Sequence, residues 1–481
     1  MSAAEAASTR LGQAVALCAA AHPGTSGIQP LADARDAFAV RALLAGVAER
    51  TLDVQYYIWH PDSSGTLLLD ALRAAAGRGV RVRLLLDDNG TAGMDAALAA
   101  LDEHPNVEVR LFNPFTTRSP KWLGYVTDFS RANRRMHNKS FTADGVATII
   151  GGRNVGDEYF GATKNVLFSD LDVLAAGPIA SEVGADFDRY WASQSSYPAA
   201  SVLPVLDKAQ RTSLHEREES ARHGPDAEAY LAALRKSESI AKFVAGELDL
   251  QWVGTRMVSD DPAKGLMAVG GKALLIHQLD DMLGAPAASV DLVSPYFVPT
   301  QSGVDMFAAL VRRGVRVQVL TNALESTDVA AVHAGYSKRR KSLLAAGVSL
   351  YEMRRSAAPP AGNTAAGPFG SSGSSLHAKT FAVDGQRVFV GSFNFDPRST
   401  HLNTELGFVI DSPPLAQGIG TVFDTTMHES SYEVRLDEAG RLYWIERREG
   451  QEVRHATEPG AGLIKRAGVG LLSVLPIEWM L

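Results

Sequence analysis

Two short stretches of the 481-residue chain gather the side chains best suited to chemistry. The first is His137-Asn138-Lys139, then Asp144, then Gly151-Gly152-Arg153-Asn154. The second is His377-Ala378-Lys379, then Asp384, then Gly391-Ser392-Phe393-Asn394. His, Lys, Asp and Asn all recur at one constant offset of 240 residues. A lone strand histidine is usually a satisfied core residue and a lone lysine a solvated one, but a fixed offset across several residue types points to a shared active site. Two imidazoles, two ammonium groups and two amides around one centre suit an anionic, tetrahedral group. A phosphodiester fits: one His attacks phosphorus, the other protonates the leaving oxygen from the opposite side, and Lys and Asn stabilise the equatorial oxygens. Asp144 and Asp384 belong to the same catalytic candidate set. They either pair with charges or set a hairpin turn, and the turn is the favoured reading.

The elements that hold these residues follow from the surrounding pattern. His-x-Lys on a strand puts both side chains on one face. Asp-Gly in each copy is a hairpin signal. The return strands, 146–150 and 388–390, would bring Gly-x-x-Asn back beside His-x-Lys. The wider sequence repeats as well. Residues 52–59, a helix pattern, Gly79 and the apolar run 80–86 match residues 290–297, another helix pattern, Gly314 and the run 315–320. Each copy reads as strand, helix, glycine cap and parallel strand, so the fold class is α/β with an internal duplication. Residues 107–112 and 348–353 read as further strands. The expected organisation is a leader at 1–26, disordered or a frayed helix, a first domain at 27–204, a charged helical linker at 205–245 and a second domain at 246–481. The second domain would carry a flexible Ala/Pro/Gly/Ser loop at 356–375, a β-meander at 432–457 and a C-terminal helix.

Composition limits the alternatives. One cysteine, Cys18, excludes a disulfide framework and multi-cysteine metal sites. A net charge of −7 does not steer the whole chain to nucleic acid. No apolar run reaches the 18 residues of a spanning helix. The run 14–21 could form a short signal core, but Glu5 upstream and Leu17 before Cys18 favour a plain leader helix.

These residues resemble the paired motifs of the phospholipase D superfamily, and the duplication makes the resemblance specific. Residues 54–59, 133–139, 156–160 and 394–399 look like the bacterial cardiolipin synthase branch, especially its C-type members. The resemblance implies two phospholipase D-like α/β sandwich halves, each a mixed sheet flanked by helices, sharing one active site at their interface. It implies phosphatidyl transfer through a phosphohistidine, with no metal and no cofactor. His137 would be the nucleophile and His377 the general acid and later base. An acidic residue on the following strand would hold the far imidazole nitrogen; the matching positions are Asp170 and Glu405, with Asp172 on the same strand face as Asp170. Gly152 departs from the pattern, because the second copy has Ser392 there. Arg153, Gly152, Ser392, Tyr57 and Tyr296 are candidate substrate contacts.

Substrate identity is less legible. Residues 106–143 carry seven basic and two acidic side chains, and 335–355 carry six and one, a net of +5 each. Both precede a motif and could bind anionic headgroups. Residues 463–481 read either as an interfacial amphipathic helix or as a segment docked on the core. The favoured reading is a phosphatidyltransferase making cardiolipin from phosphatidylglycerol, with phosphatidylethanolamine as a further substrate. The expected location is bacterial cytoplasmic, peripheral at the inner membrane face, with no nucleic acid partner and an unidentified protein activator left open. A phospholipase or nuclease on the same site, or a silent lipid-binding scaffold, are the alternatives.

Overall fold

The computed structural model describes residues 1–118, 121, 123–161, 167–236, 250–267, 269–355, 374–448 and 450–481. Trp122, linker residues 237–245 and nearly all of the 356–375 loop lie outside them. Among the described residues, nine strands form the first sheet. Their order is Gln251–Val253, Ser26–Leu31, Asp172–Ala176, Ala147–Gly151, Ser140–Ala143, Thr51–Ile58, Arg81–Gly90, Val107–Phe112 and Ser196–Pro198. The second sheet runs Thr255–Ser259, Leu406–Ile410, Arg387–Gly391, Thr380–Val383, Ser289–Val293, Arg316–Asn322, Ser349–Met353, then Ser431–Leu436, Leu442–Arg448 and Gln451–His455. From Ser26–Leu31 to Val107–Phe112 and from Thr255–Ser259 to Ser349–Met353, the seven-strand order is the same. In each, three strands are parallel and the motif hairpin is antiparallel, as a mixed sheet requires. The last three strands of the second sheet form the meander at its edge.

Alternation along the central strands explains how the halves meet. Ile149 and Leu174 face the helices of their own half. Their neighbours Ile150, Val173 and Ala175 face the other way and pack in one core with Val388, Val390, Leu406, Phe408 and Ile410 of the second half. Strands buried on both faces read as unbroken apolar runs. The shared core fixes one sheet against the other.

The hairpin turns form as their Asp-Gly pairs dictate. Asp144 and Gly145 have φ of 51° and 57°, Asp384 and Gly385 have 54° and 61°. Two successive positive φ values give the tight primed turn that matches strand twist. The Asp144 carboxylate accepts the N–H groups of Glu49, Arg50 and Thr51, and Asp384 accepts those of Ala287, Ala288 and Ser289. Both therefore sit at the end of the hairpin strand remote from His-x-Lys and splice the turn to the neighbouring strand. This placement corrects the catalytic reading of Asp144 and Asp384 in favour of the turn: both carboxylates are occupied by backbone amides. Asp144→Ala is expected to cost about 2 kcal/mol of stability, because it strands the buried Thr51 amide and two partly buried amides beside it. Denaturant unfolding should show that loss, while turnover per folded molecule stays within a few-fold of the parent.

The linker residues form helices Lys208–Arg222 and Pro225–Lys236, and the first helix starts on an Asp207/Gln210 capping box. Tyr230 from the second stacks on Phe38. The leader forms helices Ala3–Ser8 and Arg10–Ala19, anchored by buried Leu11, while Cys18 is exposed. Among the described residues, no helix is long and apolar enough to cross a membrane.

Candidate active site

The two His-x-Lys triplets lie just before the hairpin strands rather than within them, which corrects the strand reading. Each is held extended by the opposite half. His137 N–H donates to Thr404 O at 2.9 Å, and Thr404 N–H donates back to Arg135 O at 3.0 Å. In the second copy, His377 N–H donates to Ser169 O at 2.8 Å, and the short strands Ser374–Leu376 and Leu167–Ser169 pair in parallel. Thus each motif is inserted into the other half.

The acid–imidazole pairing crosses in the same way. His137 Nδ1 is 2.8 Å from Glu405 Oε2, and His377 Nδ1 is 2.5 Å from Asp170 Oδ2. Each carboxylate follows one motif in sequence and serves the other in space. Asp172, the alternative to Asp170, instead takes the Arg41 guanidinium at 2.8 Å and the Arg153 N–H at 3.1 Å. Lys139 Nζ and Lys379 Nζ each donate to the carbonyl oxygen of their own His at 2.5 Å. Tyr57 packs edge-on to His137 at 5.0 Å between centroids, and Tyr159 does the same to His377 at 5.3 Å. Asn154 accepts the Ile58 N–H and donates to Tyr159 Oη, both at 3.1 Å. Asn394 is buried, and its Oδ1 has no hydrogen-bond partner among the described residues.

The five substrate-contact candidates separate. Arg153 is fully buried and donates to the carbonyls of Leu31, Ala32 and Asp170, so it supports the strand behind the site and does not face a ligand. Ser392 is equally buried, and its Oγ donates to Glu405 Oε2 at 2.5 Å. Gly152 leaves room for Asp170: a Cβ there would lie 2.1 Å from Asp170 Oδ1. In this structure, then, Gly152 lies against the Asp170 carboxylate, Arg153 is spent on backbone carbonyls and Ser392 is spent on Glu405. Tyr57 stays on the imidazole, with its hydroxyl taken by Asn89 at 3.1 Å; Tyr296 donates to Asp328 at 2.7 Å.

Two residues absent from the candidate set complete the asymmetry. Tyr159 and Ser399 are themselves 240 residues apart. Tyr159 packs on His377, whereas Ser399 Oγ donates to Glu405 Oε1 at 2.8 Å. Both lie in stretches that carry the family resemblance, but neither repeats in type, so the duplication could not flag them. The basic segments also differ from expectation. Arg118 and Lys121 pair with Asp88, Arg135 with Asp87, Arg340 with Glu352, Arg339 with Glu478 and Arg354 with Glu446. Carboxylates distant in sequence thus occupy about half of the apparent headgroup cations.

Burial and crowding set the proton inventory. Burial pushes His137 well below its usual range, and Lys139, Lys379 and His377 add to this. Burial lowers His377 too, reinforced by Lys379 but opposed by Asp170. Lys139 is pushed down to about 7 by burial. The carboxylates diverge. Burial pushes Glu405 up to about 7. Burial acts on Asp170 in the same direction, but His377 and Lys379 outweigh it and leave Asp170 lowered.

Duplicated sheets that join one shared core and cross-insert paired His-x-Lys motifs define a phospholipase D-type phosphodiester-transfer enzyme. The comparisons with known proteins agree. The model for "Cardiolipin synthase, PLD-like domain" matches twice, at residues 44–191 and 279–427. The chain belongs to this family within the phospholipase D superfamily and is a phosphatidyltransferase. Cardiolipin synthase C of Escherichia coli K12 is 51% identical over 472 residues, covering 98% of this chain and all of that one. Cardiolipin synthase 2 of Staphylococcus epidermidis is 25% identical over 404 residues, covering 84% and 68%. The crystal structure of phosphatidylserine synthase from Haemophilus influenzae has the same fold, with a TM-score of 0.59 at 14% identity over 95% of each chain.

Proposed function

We propose that the protein makes cardiolipin from two molecules of phosphatidylglycerol by two displacements at one phosphorus. The observation that carries the assignment of roles is the inequality of the two carboxylates. Glu405, raised to about 7, accepts the Nδ1 proton of a neutral His137 and leaves Nε2 free to attack. Asp170 stays ionised beside His377 and opposes the lowering that burial imposes on that imidazole, the direction a general acid needs, whereas burial and the neighbouring cations push His137 well below its usual range. In the first step His137 Nε2 bonds to phosphorus, the bond to the headgroup glycerol breaks, and His377 protonates that glycerol. In the second step His377 takes the proton from the hydroxyl of another phosphatidylglycerol. That oxygen displaces His137, which returns free. Lys139, Lys379, Asn154 and Asn394 are assigned to the equatorial oxygens. The substrates are drawn from a membrane, with the protein in peripheral contact at the inner face. Phosphatidylethanolamine as a second phospholipid substrate would release ethanolamine in place of glycerol.

The test is product analysis with purified protein and phosphatidylglycerol vesicles containing a chelator. Cardiolipin and free glycerol are expected in equal amounts. Phosphatidic acid as the sole lipid product would replace transfer by hydrolysis, and loss of activity in the chelator would overturn the metal-free route.

The pH profile follows from the same groups. Below about 7 Glu405 takes up a proton, stops accepting from Nδ1, and the attacking tautomer is lost. Above about 7 Lys139 loses the charge that binds phosphate. kcat/KM is therefore expected to form a narrow bell centred near neutrality. The alkaline limb of kcat should lie higher, because bound phosphate holds the lysine proton. Initial rates from pH 5 to 9 check both limbs.

A further inference from the structure

The C-terminal helix Leu463–Ser473 is apolar on two sides and uses only one of them inside the protein. Val469 is buried against Leu324 and Ala334, with Leu472 packed beside it. The other side carries Ile464 and Leu471, seven residues apart and so on one helical face, with Leu475 following beyond the helix end. Ile464 is 90% exposed and Leu471 68% exposed, and Val474 just beyond the helix is 75% exposed. An exposed apolar stripe on a helix belongs against a partner or at a lipid boundary. Lys465 and Arg466 stand in its first turn. The chain then ends on the site. Ile477 and Leu481 pack with Tyr296 and Val298, and Arg398 donates its N–H to Leu481 O at 2.7 Å, four residues after Asn394.

The first half contributes a matching rim. Trp479, 58% exposed, lies edge-on to Phe129 at 6.5 Å. Phe129 and Val126 are exposed on the short helices Phe129–Ala132 and Leu123–Thr127. Those helices reach the nucleophile through a chain of contacts: Tyr125 donates to Asn89, Asn89 to Tyr57, and Tyr57 packs on His137. Exposed apolar side chains of the C-terminal segment thus meet exposed apolar side chains of the first half at the Trp479–Phe129 pair. An isolated exposed leucine needs no explanation, but a contiguous apolar rim with an aromatic pair does.

We infer that this rim, built from the C-terminal segment and the 123–132 helices, is the surface that seats the protein on a lipid bilayer, with the active-site mouth turned to the headgroups. The occupant is a bilayer because the surface runs across both halves through the Trp479–Phe129 pair, places Trp479 beside apolar neighbours as an interfacial residue, and carries the exposed Lys465 next to Ile464 as a cation for anionic headgroups. The inference rests on the lipid-substrate reading above.

Flotation of the full chain with vesicles of phosphatidylglycerol and phosphatidylcholine tests it. Wild-type protein is expected to float, and the double variant Ile464→Glu/Leu471→Glu to lose at least tenfold in partitioning. Its melting temperature and its rate on monomeric dihexanoyl phosphatidylglycerol should match the parent. That last measurement separates the two readings: loss of turnover on long-chain vesicles alone indicts docking, whereas a wild-type enzyme inert on both substrates indicts the function. A second variant, Trp479→Ala, should weaken flotation several-fold without touching the helix. Unchanged flotation in both variants overturns the inference. So does a wild-type dimer that the double variant dissociates, since the face would then be covered by a second copy.

Discussion

His137→Ala is expected to abolish turnover, with a fall of about 10⁴-fold or more and no covalent adduct. Removing the nucleophile leaves water as the only attacking group, and its loss from a cooperating pair costs nearly as much as losing the whole set. Such a fall corresponds to about 5.5 kcal/mol of transition-state stabilisation. Rapid quenching with phosphatidyl-labelled lipid should trap an acid-labile, base-stable adduct on the wild-type chain and none on the variant. His377→Ala should behave differently: it lowers turnover but still allows a substrate with a good leaving group to label His137. If His377→Ala blocks labelling and His137→Ala permits it, the roles are reversed. The fold should survive His137→Ala. Only the imidazole is lost, and the backbone bridge from His137 to Thr404 does not use the side chain.

Glu405→Gln carries the second largest effect, a loss of roughly 10³ to 10⁴-fold, the scale found when a catalytic histidine loses the carboxylate that fixes its tautomer. The geometry explains why an amide does not substitute. Oε2 accepts from His137 and from Ser392, and Oε1 accepts from Ser399. A carboxylate serves all three donors, whereas an amide presents its NH2 to one of them and leaves that contact repulsive. The variant should also lose the acid limb of the kcat/KM profile, because the group that titrates near 7 is gone. A stability defect alone would lower the amount of active enzyme without moving the profile. Asp170→Asn provides the contrast. It should slow leaving-group departure and spare reactions of lipids with activated headgroups, since His377 is needed there as an acid.

Much of this architecture was legible in the sequence. The parallel strand pairs at residues 52–58 and 81–86, and their copies at 290–293 and 316–320, showed because β-branched and aliphatic runs alternate with helix patterns closed by Gly79 and Gly314. The hairpins showed because Asp-Gly accepts two positive φ values cheaply. The site showed because duplication repeated it. What did not repeat was hidden. Tyr159 and Ser399 occupy equivalent positions with different side chains and different tasks, and Gly152 and Ser392 likewise.

The sequence by itself marked the groups: two His-x-Lys motifs and their asparagines through repetition, and Glu405 and Asp170, with Asp172 as its alternative, through the family resemblance. Only the tertiary structure decided which acid serves which histidine. The answer depends on two sheets packing through Ile150, Val173, Val390 and Phe408, which brings the residue after each motif under the imidazole of the other. It also decided the fate of charge. The two segments with a net +5 are local sums along the chain, but Coulomb energy depends on distance in space, and Asp87, Asp88, Glu352, Glu446 and Glu478 fold against them. The apolar face left open on the helix Leu463–Ser473 is visible only in that folded arrangement, because hydropathy along a chain does not say which side of a helix finds a partner.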